Sequence, residues 1–213
     1  MSISALILGE SGTGKSTSLR NLDPAQTLLI QSIRKPLPFR SNTWKPVKDG
    51  GNIIVTDQAV DIIKAMRKTT RPVIIIDDWQ YILANEYMRR TDETGYQKFT
   101  DIGRKAWDIL GAASDLDAGK RVYILAHTQS DEHGRSHIKT IGKMLDEKIT
   151  PEGMFSIVLN TVVQNGNYLL ATNNNGANTT KSPLGLFDEE LIENDLAAVD
   201  AAIFNYYGLQ EAA

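Results

Sequence analysis

Cysteine is absent from this chain of 213 residues, which excludes disulfides, thiol nucleophiles and cysteine-ligated zinc together. Basic residues are missing from one region: after Lys181 there is no lysine or arginine, while seven acids follow, Asp188, Glu189, Glu190, Glu193, Asp195, Asp200 and Glu211. The first 181 residues carry 23 bases against 19 acids, so a mildly basic body bears an acidic tail. That tail either competes with a polyanion for the body or is an ordinary solvated helix face. No apolar stretch is long enough to span a membrane and no leader pattern appears, which leaves the cytoplasm as the default setting and no membrane partner. Proline is scarce, and Pro36, Pro38 and Pro46 fall together in RKPLPFRSNTWKPVKDGG, where they exclude a regular helix. The length suits one domain over residues 1–213.

Against these absences, LILGESGTGKSTSLR at residues 6–20 stands out. Gly9 to Ser16 matches G-x-x-x-x-G-K-[ST], preceded by an apolar run that suits a buried strand and followed by residues that begin a helix with Leu19 and Leu22 turned inward. Gly9, Gly12 and Gly14 let consecutive N–H groups converge on phosphate oxygens, so Gly9, Glu10, Ser11, Gly12, Thr13, Gly14, Lys15, Ser16 and Thr17 form the expected nucleotide cradle. The helix N-terminus adds its partial positive charge. Lys15 is expected to reach the β and γ phosphates of ATP, and Ser16 to ligate Mg²⁺.

Further along, Thr27 to Ile33 reads as a strand, Asn52 to Val55 as a short one, and Thr56 as the cap of a helix with Val60, Ile63 and Met66 at helical spacing. RPVIIIDDWQ carries four β-branched residues, the mark of a strand buried on both faces, ending in Asp77 and Asp78. ILANEYMRR and FTDIGRKAWDILGAASDL read as helices, and Arg121 to Ala126 as another buried strand running into His127, Thr128 and Gln129. Ser130 to Thr150 reads as a long polar loop, then FSIVLNTVVQNGNYLLATN as a hairpin turning at Asn165-Gly166. Ile192, Leu196, Val199, Ile203 and Tyr206 read as the apolar stripe of a last, acidic helix that Gly208 ends. This alternation predicts an α/β fold with a mostly parallel sheet, helices on both faces and a late antiparallel hairpin.

The acid-ended strand is expected beside the glycine-rich loop, with Asp77 holding Mg²⁺ alongside Ser16. Asp78 is the spare carboxylate, either orienting the attacking water or capping the helix that follows. Thr128 and Gln129 sit where a side chain senses the γ-phosphate, whereas His127 reads as a packed histidine. His133 and His137 lack a third ligand, so they do not make a metal site. Three clusters mix positive charge with polar or aromatic residues, as single-stranded nucleic acid requires. The first is Arg34, Lys35, Arg40, Lys45 and Lys48 with Phe39 and Trp44; the second is Arg89, Arg90, Lys98, Arg104 and Lys105 with Tyr96 and Phe99; the third is Arg135, Lys139, Lys143 and Lys148.

The set GESGTGKST, VIIIDDWQ, AHTQ, a hairpin and NNNGANTTKSP resembles the RecA-like recombinase core, a P-loop NTPase fold, and most nearly small phage ATPases of the fourth Sak group of single-strand annealing proteins. The resemblance implies one RecA-like ATPase domain that binds single-stranded DNA in an ATP-dependent way and promotes annealing or strand pairing in recombination and repair. It also implies cooperation with a single-strand DNA-binding protein and a homo-oligomer, ring or filament, with ATP between subunits. Lys181 is then the lysine expected to reach a neighbour's nucleotide, and the regions 87–105 and 130–150 the DNA-contacting segments. Two departures stand out. The family's catalytic Glu after the second strand is replaced by Gln31, Ser32, Arg34 and Lys35, which passes that role to Asp78 or predicts slow hydrolysis, and no accessory domain precedes the loop. A P-loop small-molecule kinase is the competing expectation, with Arg89 and Arg90 as a lid.

Overall fold

The computed structural model describes residues 1–141 and 150–210. Among these, nine strands form the centre: β1 (Ile3–Gly9), β2 (Thr27–Gln31), β3 (Ile53–Val55), β4 (Val73–Asp77), β5 (Arg121–Ser130), β6 (Ser136–Ile138), β7 (Ile157–Gln164), β8 (Asn167–Ala171) and β9 (Leu191–Glu193). The α-helices are α1 (Ala59–Lys68), α2 (Gln80–Arg89), α3 (Gln97–Ser114) and α4 (Leu196–Tyr206). The order across the sheet is β3-β2-β4-β5-β1-β7-β8-β9, with β6 attached to the end of β5. From β3 to β7 every pairing along this order is parallel; β7-β8-β9 is antiparallel.

Alternate residues of the central strands feed two apolar layers, because side chains in a strand point to opposite faces. Leu6, Leu8, Ile74, Ile76, Val122 and Ile124 meet α1, α2 and α3 on one face. Ala5, Ile7, Val73, Ile75, Tyr123 and Leu125 meet Leu19, Trp44 and the Leu196–Val199–Ile203 stripe of α4 on the other. Both faces are covered, which is why β1 and β4 read as continuous apolar runs rather than alternating ones. The Asn165-Gly166 turn adopts φ of 52° and 80°, the left-handed pair that a two-residue hairpin needs.

Several local expectations are corrected. The helix after the glycine-rich loop is a 3-10 helix of six residues, Ser16–Asn21, so the dipole behind the loop is that of a short, tight turn. In α1 the buried positions are Ala59, Ile62 and Met66, whereas Val60 is exposed; Gln58 occupies the cap position, and Thr56 accepts a hydrogen bond from its N–H at 3.2 Å. Part of the polar loop after β5 is ordered as β6, which folds back antiparallel onto β5. Ile192 lies in β9, paired with Leu170, and the C-terminal helix starts only at Leu196, where the Asp195 carboxylate accepts from the Ala197 N–H at 2.9 Å. No helix of the described residues is long and apolar enough to cross a membrane.

Candidate functional site

The C-terminal ends of β1, β2, β4 and β5 converge on a cleft of about 510 Å³, the edge where open α/β sheets assemble their ligand sites. Its floor is the Gly9–Ser16 loop. Gly9 has no room for a side chain, since a Cβ there would lie 1.7 Å from Thr161 Oγ1. Thr161 in turn donates to the Leu8 carbonyl at 3.2 Å and lies 2.6 Å from Thr13 Oγ1. Gly14 is left-handed, with φ of 95°, and its carbonyl accepts from Asn194 Nδ2 at 2.9 Å. The loop is therefore clamped from β7 and from the turn after β9.

Lys15 is 5% exposed, and its ammonium donates to the carbonyls of Gly9 and Glu10, both at 2.8 Å. Burial pulls it down to about 8, against the opposing pull of Asp78 and Asp77. Ser16 donates its hydroxyl to Asp77, 3.0 Å from one carboxylate oxygen and 3.2 Å from the other. This contact joins loop and acid strand although β5, not β4, is the strand beside β1. Asp77 is fully buried, and burial followed by the neighbouring Asp78 raises it above the usual carboxylate range.

Asp78 does not cap α2, whose start has no side-chain cap. It takes a left-handed φ of 63°, uncommon outside glycine, and faces the cleft between Lys35 and His127. His127 Nε2 lies 3.4 Å from Asp78 Oδ1, and Lys35 is paired with Asp78 Oδ2 and lies 3.5 Å from Asp77 Oδ2. Burial opposes ionisation of Asp78, but the hydrogen bonds from His127 and Lys35 outweigh it and hold the carboxyl at about 2. The same carboxylates, Asp77 foremost, outweigh burial at Lys35 and raise it.

Of the residues singled out from sequence, Lys15, Ser16, Asp77 and Asp78 come together. Gln129 does not line the cleft: it lies across the β5-β6 hairpin, 3.1 Å from His137 Nε2, and His127 supplies the β5 contribution instead. Lys181 pairs its backbone with Val158 (2.8 and 2.9 Å) and leaves its side chain exposed. Lys35 and His127 carried signals that only topology makes legible: Lys35 follows the end of β2 and His127 lies within β5, the two strands that flank β4, at the sheet edge where sites form. Thr161 and Asn194 carried none, because their roles depend on contacts more than 140 residues away in sequence, with |i−j| of 148 for Thr13–Thr161 and 180 for Gly14–Asn194.

The basic clusters fare differently. Trp44 is buried in the core with Phe39 packed edge-on against it at 5.9 Å, so these rings are not base platforms. Arg89 pairs with Asp57 and Glu86, Arg90 with Glu93 and Asp101, and Lys105 with Glu86. Lys98 is buried, donating to the Arg90 and Glu93 carbonyls at 3.2 and 2.7 Å. Arg104 remains 83% exposed along its side chain, with Asp108 at 4.0 Å. Arg135 and Lys139 are exposed on either side of β6; Lys143 and Lys148 lie outside the described residues.

A larger cavity of about 620 Å³ opens at the other end of the sheet beside α4. Its guanidinium, Arg121, is already engaged by Asp200 and the Gly119 carbonyl, so the chemistry-bearing cleft is the smaller one. Among the described residues, no group of three or more His, Cys, Asp or Glu side chains is arranged to hold a metal ion. No protein-family model matches the chain, and a search of curated proteins finds no match.

Proposed function

We propose that the chain is a P-loop NTPase with a RecA-like core, which binds ATP and Mg²⁺ in the cleft and uses them to control binding and annealing or pairing of single-stranded DNA. One observation carries the nucleotide part: Lys15 and Ser16 of the loop line one cleft with Asp78 of a distant segment, and the serine hydroxyl rests on Asp77, buried just behind it. The donor set suits Mg²⁺, which is usually held by one or two carboxylates, water and substrate phosphates rather than by an all-protein cage. Ser16 on Asp77, with Asp78 as the neighbouring second carboxylate, is a donor set of that size. Bound Mg²⁺ supplies charge neutralisation on the transferring phosphoryl group.

The chain's own residues then have distinct tasks. Lys15 exchanges its two loop carbonyls for phosphate oxygens, a trade that keeps its ammonium satisfied. Asp78, held by His127 and Lys35, orients a water by accepting its hydrogen bond; a carboxylate at about 2 is a weak base, which makes slow turnover the expectation. The DNA part rests on Arg135 and Lys139, exposed on a hairpin that continues β5 directly from the cleft residue His127. Lys181, exposed and anchored on β7, is the residue for a neighbouring subunit's nucleotide, in a homo-oligomer acting with a single-strand DNA-binding protein. A kinase lid would need Arg89 and Arg90 free, and both are paired with acids of their own neighbourhood.

Steady-state ATP hydrolysis with and without single-stranded and duplex DNA, at low and moderate salt, tests this reading. Stimulation by single strands, lost on replacing Arg135 and Lys139 by Glu, is the expected result. Turnover that responds to a small phosphate acceptor and not to DNA would instead identify a kinase.

A further inference from the structure

In the nucleotide reading Lys35 has only the task of holding Asp78, yet its position reaches further. Its ammonium touches both acids at once, paired with Asp78 and 3.5 Å from Asp77. Asp77 already receives the Ser16 hydroxyl, so Lys35 stands where a divalent ion shared by Ser16 and the two carboxylates would have to enter.

We infer that Lys35 is a resident counter-cation of the Asp77–Asp78 pair, one that a divalent metal displaces only when it arrives with a polyphosphate. The inference rests on the polyphosphate reading of the cleft. Charge balance supplies the argument: Lys15 and Lys35 match Asp77 and Asp78, so the four side chains sum to zero. A divalent ion entering alone would leave a surplus of two positive charges in a site where Asp77 is fully buried and Lys15 nearly so, an expensive imbalance at low dielectric. A metal entering with a polyphosphate brings its own negative charge. The displaced ammonium also has somewhere to go. Lys35 and Pro36 line the same cleft as Gly12 and Ser16, while Gln31 Nε2 donates to the Lys35 carbonyl at 3.2 Å and holds its backbone. Side-chain rotation alone therefore moves the charge from the carboxylates toward the phosphate position. The site is guarded against free metal and completed by metal with polyphosphate.

The test is a titration of nucleotide-free protein with Mn²⁺ alone, followed by electron paramagnetic resonance, for wild type, Lys35→Met and Lys35→Arg. Methionine keeps the apolar stem and removes the charge; arginine keeps the charge. Lys35→Met should bind Mn²⁺ at least about tenfold more tightly than wild type, a conservative figure for removing a unit charge within about 4 Å, and Lys35→Arg should resemble wild type. Equal affinity in wild type and Lys35→Met would overturn the inference. If Lys35→Met does not fold, acetylation of Lys35 in the wild-type protein decides: its rate should change several-fold with Mn²⁺ plus ATP and stay constant with Mn²⁺ alone, and an unchanged rate in protein shown to bind ATP rejects the displacement. The Mn²⁺ titration uses no nucleotide, so it stands whether or not ATP binds. Failure of wild type to bind ATP would count against the reading of the cleft instead.

Discussion

Gly9 and Gly12 belong to one motif but are glycine for different reasons. At Gly9 the constraint is space, with Thr161 Oγ1 at 1.7 Å and Thr13 Oγ1 at 2.7 Å from where a Cβ would sit. At Gly12 it is backbone conformation, φ of 82° with nothing near the missing Cβ. Gly12→Ala should cost about 1 kcal/mol, the usual penalty of a left-handed alanine. Gly9→Ala should cost about 2–3 kcal/mol, since Thr161 must turn and break its hydrogen bonds. Urea denaturation measures both, and adding Thr161→Ala should recover part of the Gly9→Ala loss but none of the Gly12→Ala loss. At this scale the motif residues were legible because each carries its chemistry in its own identity and spacing. Lys35 was read as one base among several in a proline-rich loop, although the departure from the family pattern falls at the same place. Its function depends on β2 ending beside β4, which nothing local encodes.

The pair α2-α3 is held by charge as well as by its apolar face. Glu86 is lowered chiefly by the Lys105 hydrogen bond; at Asp57 burial works the other way but the bonds from Arg89 and Asn85 prevail; Arg90 lowers Asp101. Carboxylates lowered by folding add stability that is complete above their unfolded values, near pH 4.5 for the highest, and that is lost as pH falls through the lowered ones. Amide protection, measured against the intrinsic exchange rate at each pH, should therefore fall in α2 and in the N-terminal half of α3 between about pH 4.5 and 3, ahead of protection in β4 and β5. Equal protection throughout that range would show that these ion pairs contribute nothing there. Helices and long strands were legible from periodicity, as was the hairpin from its turn pair. The strands β6 and β9 were not: three residues are too few to display a period, and SHI and LIE lack the all-apolar run that marks the equally short β3. Ile192 fell into a helical stripe by spacing alone, and its pairing with Leu170 overrides it.

Across the whole molecule, the acidic tail is divided: Asp188, Glu189 and Glu190 are exposed, whereas Glu193, Asp195 and Asp200 engage the body. Asp200 binds the Arg121 guanidinium at 2.6 and 2.9 Å and accepts from the Tyr123 hydroxyl at 2.6 Å, while Glu193 pairs with Arg20 and Asp195 accepts from Asn21. Asp200→Ala would leave a guanidinium only 9% exposed without its partner, so a loss of about 3 kcal/mol is expected, a fall of roughly 6–12 °C in the thermal midpoint for a chain of this size. A midpoint within about 2 °C of wild type, less than 1 kcal/mol on that scale, would show that the pair only breaks even with its desolvation. The strand order has a further consequence, for the history of each molecule rather than its finished form. β1 is completely apolar along its inner length, yet both its neighbours come from far downstream, Ile3 beside Arg121 and Ala5 beside Ile157. During synthesis this segment stays unpaired until most of the chain has emerged, and the clamps on its loop, Thr161 and Asn194, arrive later still. Such delayed, non-local closure makes for slow folding and a long exposure of sticky surface, so a nascent chain stalled before residue 121 offers chaperones an apolar strand with neither of its neighbours made.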